Sequence, residues 1–197
     1  MARQPSSAMQ IVKRDEKETK LKKFILGEIA AGRVMLSGQW SLMALSMQSP
    51  VVTALSQVVN ELGGGHDLRV RLLLAGCCKH DVGRSFTNVG KVTARASQNA
   101  RLLDAHEQLV IGATSSWSGD CMRRNPLERD AFEVFGANDE TLACWTARSF
   151  DRLWGGAKPI VRGANRFSGI GAVVNVDDVI PADGVQPQVL VAATSRN

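Results

Sequence analysis

Residues 49–75 place the tightest restriction on the fold. They read as a proline-led helix, a glycine triplet and an apolar strand, in that order. Ser49 can cap free N–H groups, and Pro50 suits a first helical position because no N–H is needed there. In PVVTALSQVVNEL the apolar residues Val51, Leu55, Val58, Val59 and Leu62 recur at helical spacing, and Gly63–Gly65 stop the helix. LRVRLLLA, 68–75, then alternates in its first half and is wholly apolar in its second, as expected of a strand entering a helix-covered sheet. A strand predicted over VMLSGQW, 34–40, precedes the helix and places Trp40 near its C-terminal end. Strand, helix and strand at this spacing demand parallel pairing through a right-handed crossover. The expected class is therefore α/β: a layered sheet with helices on both faces.

The flanking segments complete that plan. Residues 1–18 are polar and mixed in charge and read as a flexible basic arm; the first 25 residues hold seven basic and three acidic side chains. TKLKKFILGEIAAGR, 19–33, reads as an amphipathic helix with Leu21, Phe24, Ile25 and Ile29 on its apolar stripe. Residues 79–101 are basic and poor in apolar side chains, and read as a surface excursion, partly helical near 88–99. A strand, a turn and a second strand are expected within 102–119, and another strand in 130–136, where Phe132 and Val134 alternate. The next helix is capped by Asn138 and buries Leu142, Trp145, Phe150, Leu153 and Trp154. Residues 19–156 form the α/β domain on this reading. Residues 157–197 form an irregular C-terminal extension packed on the same domain, with strands at 171–180 and 188–193.

Composition excludes several classes. In 197 residues, 44% apolar content supports a core, and no apolar run reaches the length of a membrane span. No apolar leader opens the chain, which points to the cytoplasm. Cys77 and Cys78 are adjacent, which suits neither a short disulfide loop nor a zinc knuckle, so Cys77, Cys78, Cys121 and Cys144 read as reduced thiols. Adding His80 gives no ordinary tetrahedral ligand spacing. No phosphate-binding loop, EF-hand, paired-carboxylate, Ser-His-Asp or Cys-His pattern is present, so no metal or other cofactor is expected. The net charge of +5 is compatible with a polyanionic partner.

The order of elements carries a resemblance. The Ser-Pro helix and LRVRLLLA are followed by H106-E-Q-L-V-I-G, then S-W-S-G119-D-C-M, then D130-A-F-E-V-F and a final helix with S-F-D-R-L-W154. This resembles one half of the phospholipase D superfamily, in particular its small single-motif nucleases, over roughly residues 20–156. The resemblance implies a motif of His, any residue, Lys, four residues, Asp, followed by a Gly-Ser-any-Asn turn and an acidic residue that orients the histidine. The histidine falls on His106, the lysine on Gln108, the aspartate on Gly112, and the turn on Gly119, Asp120 and Met122. Asp130 takes the acidic position, with Glu128 as the near alternative.

In such a site histidine attacks phosphorus while lysine and asparagine hold the phosphate oxygens. Gln108 brings no charge, Asp120 adds a negative one and Met122 offers no N–H. Loss of one such donor costs about 3–4 kcal/mol in a transition state. The resemblance therefore implies a catalytically degenerate protein that acts by binding DNA or another phosphate-rich partner. It also implies a regulatory homodimer whose two sites face each other across a two-fold axis. Arg84, Lys91, Arg95 and Arg101, with Arg123 and Arg124 past the turn, are the candidate anion contacts. The alternative is an active phosphodiesterase that uses His106, Gln108 and Asp130 with an altered phosphate clamp. A third reading is a protein-interaction scaffold with no anion partner. Trp40 and Gln39 are expected near the cleft on the family pattern, with packing the default for Trp40.

Overall fold

The computed structural model describes residues 6–62, 67–76, 82–87, 91–97, 99–125 and 127–160. The strands are β1 (Ser6–Val12), β2 (Gly38–Ala44), β3 (Leu68–Leu74), β4 (Lys91–Ala96), β5 (His106–Ile111), β6 (Ser115–Cys121), β7 (Ala131–Ala137) and β8 (Lys158–Pro159). The helices are α1 (Lys17–Ala30), α2 (Pro50–Glu61), the single turn α3 (Val82–Ser85) and α4 (Glu140–Gly155). The strands form one mixed sheet in the order β1-β7-β6-β5-β2-β3-β4-β8. Strands β2, β3 and β4 are parallel and the remaining pairings antiparallel. The expected strand–helix–strand unit is β2-α2-β3. No described helix is long and apolar enough to cross a membrane.

Strand alternation divides the core between the two faces. Trp40, Leu42 and Ala44 of β2 join Leu109 and Ile111 of β5 beneath α1 and α2. Met43 and Leu73 face the other way and pack with Leu102, Met122 and Phe150 beneath α4. Both faces thus carry helices, as the sequence predicts.

Several local expectations change. Ser6–Val12, read as part of a flexible arm, pairs along its whole length with β7 as an edge strand. The expected first strand at 34–40 begins instead at Gly38, where φ is +108°, a value glycine adopts without Cβ strain. Trp40 is therefore third in its strand and 1% exposed in the core, not at a cleft, and Gln39 lies at the strand's N-terminal end. The segment expected to be helical near 88–99 contains strand β4. Ser49 makes no side-chain cap; its hydroxyl accepts from the Ser46 N–H at 3.1 Å. Asp139, not Asn138, caps α4 by accepting from the Leu142 N–H at 2.9 Å. Trp145 is exposed rather than buried. On β7 the inward residues are Ala131, Glu133 and Phe135, so Phe132 faces solvent; displacing an alternating pattern by one position exchanges its two faces.

Just beyond residue 156, β8 pairs with β4, and the Ile160 N–H donates to the Ala94 carbonyl. The strands expected at 171–180 and 188–193, the Gly63–Gly65 stop, and Cys77, Cys78 and His80 lie outside the described residues.

Candidate functional site

His106 opens β5. This strand runs antiparallel to β2, and Gln108 pairs with Met43 near the C-terminal end of β2. His106 therefore sits at the end of the sheet where the parallel strands release their crossovers, the end at which open α/β sheets place ligands. The imidazole is exposed, and its Nδ1 lies 2.7 Å from the Gly119 carbonyl oxygen on β6. A carbonyl only accepts, so Nδ1 carries a proton, and in the neutral ring it is Nε2 that holds the lone pair. The register between β5 and β6 shifts between His106 and Gln108, and this bulge sets Gly119 opposite the ring.

Glycine at 119 has a steric cause. A Cβ there would lie 2.5 Å from the Trp117 ring. Trp117 is buried, and its Nε1–H donates to Glu133 Oε2 at 2.9 Å. Lys17 Nζ stands 3.8 Å from Glu133 Oε1, with both side chains at most 2% exposed. Glu107 is buried on the same face and accepts from the Leu45 N–H at 3.0 Å, bracing the loop after β2. Burial raises the Glu107 pKa, which hydrogen bonds from Ser49 and Leu45 partly offset. Burial likewise pushes Glu133 to about 7, against the lowering effect of the Trp117 bond and the Lys17 charge.

Comparison with known proteins separates sequence from fold. No family model matches the sequence, and no curated protein matches it. Among solved structures, Nuc from Salmonella typhimurium, a phospholipase D family member, aligns with a TM-score of 0.50 at 14% identity, over 79% of this chain and 98% of Nuc. NucT from Helicobacter pylori aligns with a TM-score of 0.50 at 7% identity, over 79% of this chain and 99% of NucT. The fold is phospholipase-D-like.

Within this phospholipase-D-like fold the residues that the resemblance assigned to the motif have distinct surroundings. Met122 is 1% exposed inside the α4-side core, packed with Met43, Leu73 and Phe150. That position therefore turns inward and presents no group to a ligand. Gln108 is half-buried, with its Oε1 buried and unpartnered among the described residues. Asp120 bonds its neighbour's backbone, the Cys121 N–H, at 2.7 Å, and its Oδ1 lies 3.7 Å from Arg124 Nη1. Counted strictly from His106, the four-residue spacer is 109–112, so the aspartate position falls on Ala113 rather than Gly112. Both occupy the turn between β5 and β6, where Gly112 has φ +69°. Asp130 does not supply the hydrogen bond at Nδ1 of His106, which belongs to the Gly119 carbonyl; its Oδ1 accepts from the Arg14 backbone N–H at 2.8 Å. Glu128 accepts from Asn125 Nδ2 at 2.7 Å.

The basic candidates do not form one surface. Lys91 pairs with Arg69 at the N-terminal end of the parallel strands, the end away from His106. Arg95 is committed to the fold: its Nη1 donates to the Trp154 carbonyl at 2.9 Å and its guanidinium lies 4.7 Å from the centre of the Trp154 ring. Arg84 falls on α3, and its side chain lies outside what the structure describes. Arg101, Arg123 and Arg124 do cluster at the His106 end and are exposed. Arg123 Nε donates to Asp104 at 2.6 Å, which holds the Asp104 pKa below the usual carboxylate value. Among the described residues, no group of three His, Cys, Asp or Glu side chains is arranged to hold a metal ion.

The buried trio of Lys17, Glu107 and Glu133 is absent from the site expected from sequence. A signal for the two glutamates was present: in HEQLVI, Glu107 shares period-two parity with Leu109 and Ile111, and in AFEVF, Glu133 shares it with Phe135.

Proposed function

We propose that this chain is a catalytically degenerate phospholipase-D-like protein that binds DNA or a similarly phosphate-rich polymer as a homodimer in a regulatory role. One juxtaposition supports the reading: Met122 is locked in the core at the phosphate-donor position, while Arg101, Arg123 and Arg124 remain exposed at the same end as His106. An exposed ion pair is weak, so Arg123 can exchange Asp104 for phosphate oxygens at little cost, and the long Arg124–Asp120 contact leaves the exposed Arg124 guanidinium open to them as well. Affinity from such contacts depends on salt and tolerates sequence.

Fluorescence anisotropy with a labelled DNA duplex tests this. Arg123→Ala with Arg124→Ala is expected to weaken binding and flatten the plot of log affinity against log salt by roughly 1–2, whereas His106→Ala leaves binding intact. Absence of binding by the wild-type chain at low salt rejects the proposal.

Residual phosphodiesterase activity is a second reading, favoured by the free Nε2 lone pair of an exposed His106. Its mark is hydrolysis of a generic phosphodiester that disappears in His106→Ala.

A further inference from the structure

Three charged side chains are buried together behind the bulge that carries His106. Lys17 of α1, Glu107 of β5 and Glu133 of β7 are at most 2% exposed. Strand alternation brings the glutamates to one face of the sheet: Glu107 shares parity with Leu109 and Ile111, and Glu133 with Phe135, all in the core beneath α1 and α2. β6 runs between their strands. Its last pair with β7 is Ser118 with Val134, so Gly119 comes level with Glu133, and the bulge sets Gly119 opposite Glu107. The two carboxyls thus flank Gly119 from the strands on either side. The Trp117 ring lies over Gly119, and its Nε1–H donates to Glu133 Oε2 at 2.9 Å.

This cluster supports two parts of the His106 end. Glu107 Oε1 accepts from the Leu45 N–H at 3.0 Å, and the Ser49 hydroxyl also donates to Glu107, which ties the 45–49 loop between β2 and α2 to β5. The same loop reaches the end of β3, where the Gly76 N–H donates to the Leu45 carbonyl at 2.7 Å. Gly119, flanked by the carboxyls, accepts through its carbonyl from His106 Nδ1–H at 2.7 Å. The charges do not balance: two carboxylates would face one buried ammonium. The Lys20 charge also reaches Glu133, but Lys20 is one-third exposed and lies 3.1 Å from Glu16. Asp120 adds negative charge near Glu107. β1 places Gln10 opposite Glu133 and holds no charged residue, and the first turn of α2 holds none either. A second buried negative charge is costly there, and a proton on either carboxyl removes it. Two such interacting carboxyls titrate as a pair. Burial accordingly pushes both upward, Glu133 to about 7.

We propose that Lys17, Glu107 and Glu133 form a proton-controlled latch: one proton held by the carboxyl pair keeps the cluster neutral and closed, and its loss loosens the 45–49 loop and the β5–β6 bulge beneath His106. The proton leaves for bulk water and the added negative charge stays on the pair. Glu133 is enclosed by Trp117 and Lys17, whereas Glu107 meets a loop N–H and a hydroxyl, so the loop is where water enters to solvate that charge. The device lies outside the proposed phosphate contacts, and its readout needs no ligand, so it stands or falls separately from nucleic-acid binding.

NMR of the full chain reads the latch in the folded state, where a change in overall stability alone moves no chemical shift. Between pH 5.5 and pH 8 the Leu45 amide should titrate in step with the side-chain carboxyl carbon of Glu133, and the His106 ring nitrogens should show that step besides their own. This comparison needs no variant. Two substitutions should displace the Leu45 step in opposite directions. Glu133→Gln leaves one carboxylate against one ammonium and should move it to lower pH. Lys17→Met removes the ammonium and should move it about 1–3 pH units higher. A Leu45 amide that stays still while Glu133 titrates overturns the proposal, as does a step that keeps its midpoint in both variants or moves against these directions.

Discussion

Met122 and Gly119 show how single side chains decide what this end of the molecule can do. Met122→Asn introduces the residue type that the family resemblance leads one to expect at 122, but the side chain there points into a packed apolar cluster. Burying an amide there and losing the thioether's contacts should cost about 2–4 kcal/mol. Urea unfolding should therefore show a lower midpoint for Met122→Asn, with no gain in phosphodiester hydrolysis. A variant of wild-type stability that gained turnover would mean that the position turns outward. Gly119→Ala places a methyl group against the Trp117 ring. Overpacking of this kind costs about 1–3 kcal/mol. It should also displace the carbonyl that accepts from His106, visible as altered ¹⁵N shifts of that imidazole; unchanged shifts and stability would contradict this assignment.

At the level of elements, Lys17 at the start of α1, Glu107 on β5 and Glu133 on β7 join three parts of the fold through buried charge. Burial raises the pKa of both glutamates, so the native state favours their protonated forms. The contribution of Glu133 is therefore fully present below pH 4.5 and is lost as pH rises through about 7, and that of Glu107 is lost in the same direction. For Glu133 the change corresponds to roughly 3 kcal/mol. The carboxylates with lowered pKa, Glu28 and Asp104, act below pH 4.5 and leave this window clear. Urea midpoints should fall between pH 5.5 and pH 8, and Glu133→Gln should remove much of that fall while Glu107 retains the rest; a rising or flat wild-type profile would refute the assignment. The α2 and β3 elements were legible in the sequence because Ser-Pro, helical spacing and the apolar run all agree. β1 was not: SSAMQIV lacks a strong alternating pattern, and its order comes from pairing with β7, a contact 119–131 residues distant in sequence. The sequence leaves the inward face of β7 open because Phe132 and Phe135 suggest opposite parities; in the fold Glu133 and Phe135 are inside, with Lys17 beside Glu133.

For the whole molecule, the α/β class with helices on both faces was readable from sequence pattern, whereas the distribution of the basic residues was not. Five cations between 79 and 101 look contiguous in the chain. In space, Lys91 lies at the far end of the parallel strands and Arg95 is held by Trp154, which leaves Arg101 with Arg123 and Arg124 beside His106. Lys91→Ala should consequently change the salt dependence of DNA affinity far less than Arg123→Ala with Arg124→Ala. A larger effect at Lys91 would move the anion surface to the other end of the sheet.

The most direct measurement is the hydrolysis of a generic phosphodiester by the wild-type chain and by His106→Ala, at protein concentrations that saturate DNA binding. With Met122 buried and no cation at position 108, the two rates should coincide at background. A wild-type rate clearly above that of His106→Ala would contradict the account and make this a working phosphodiesterase.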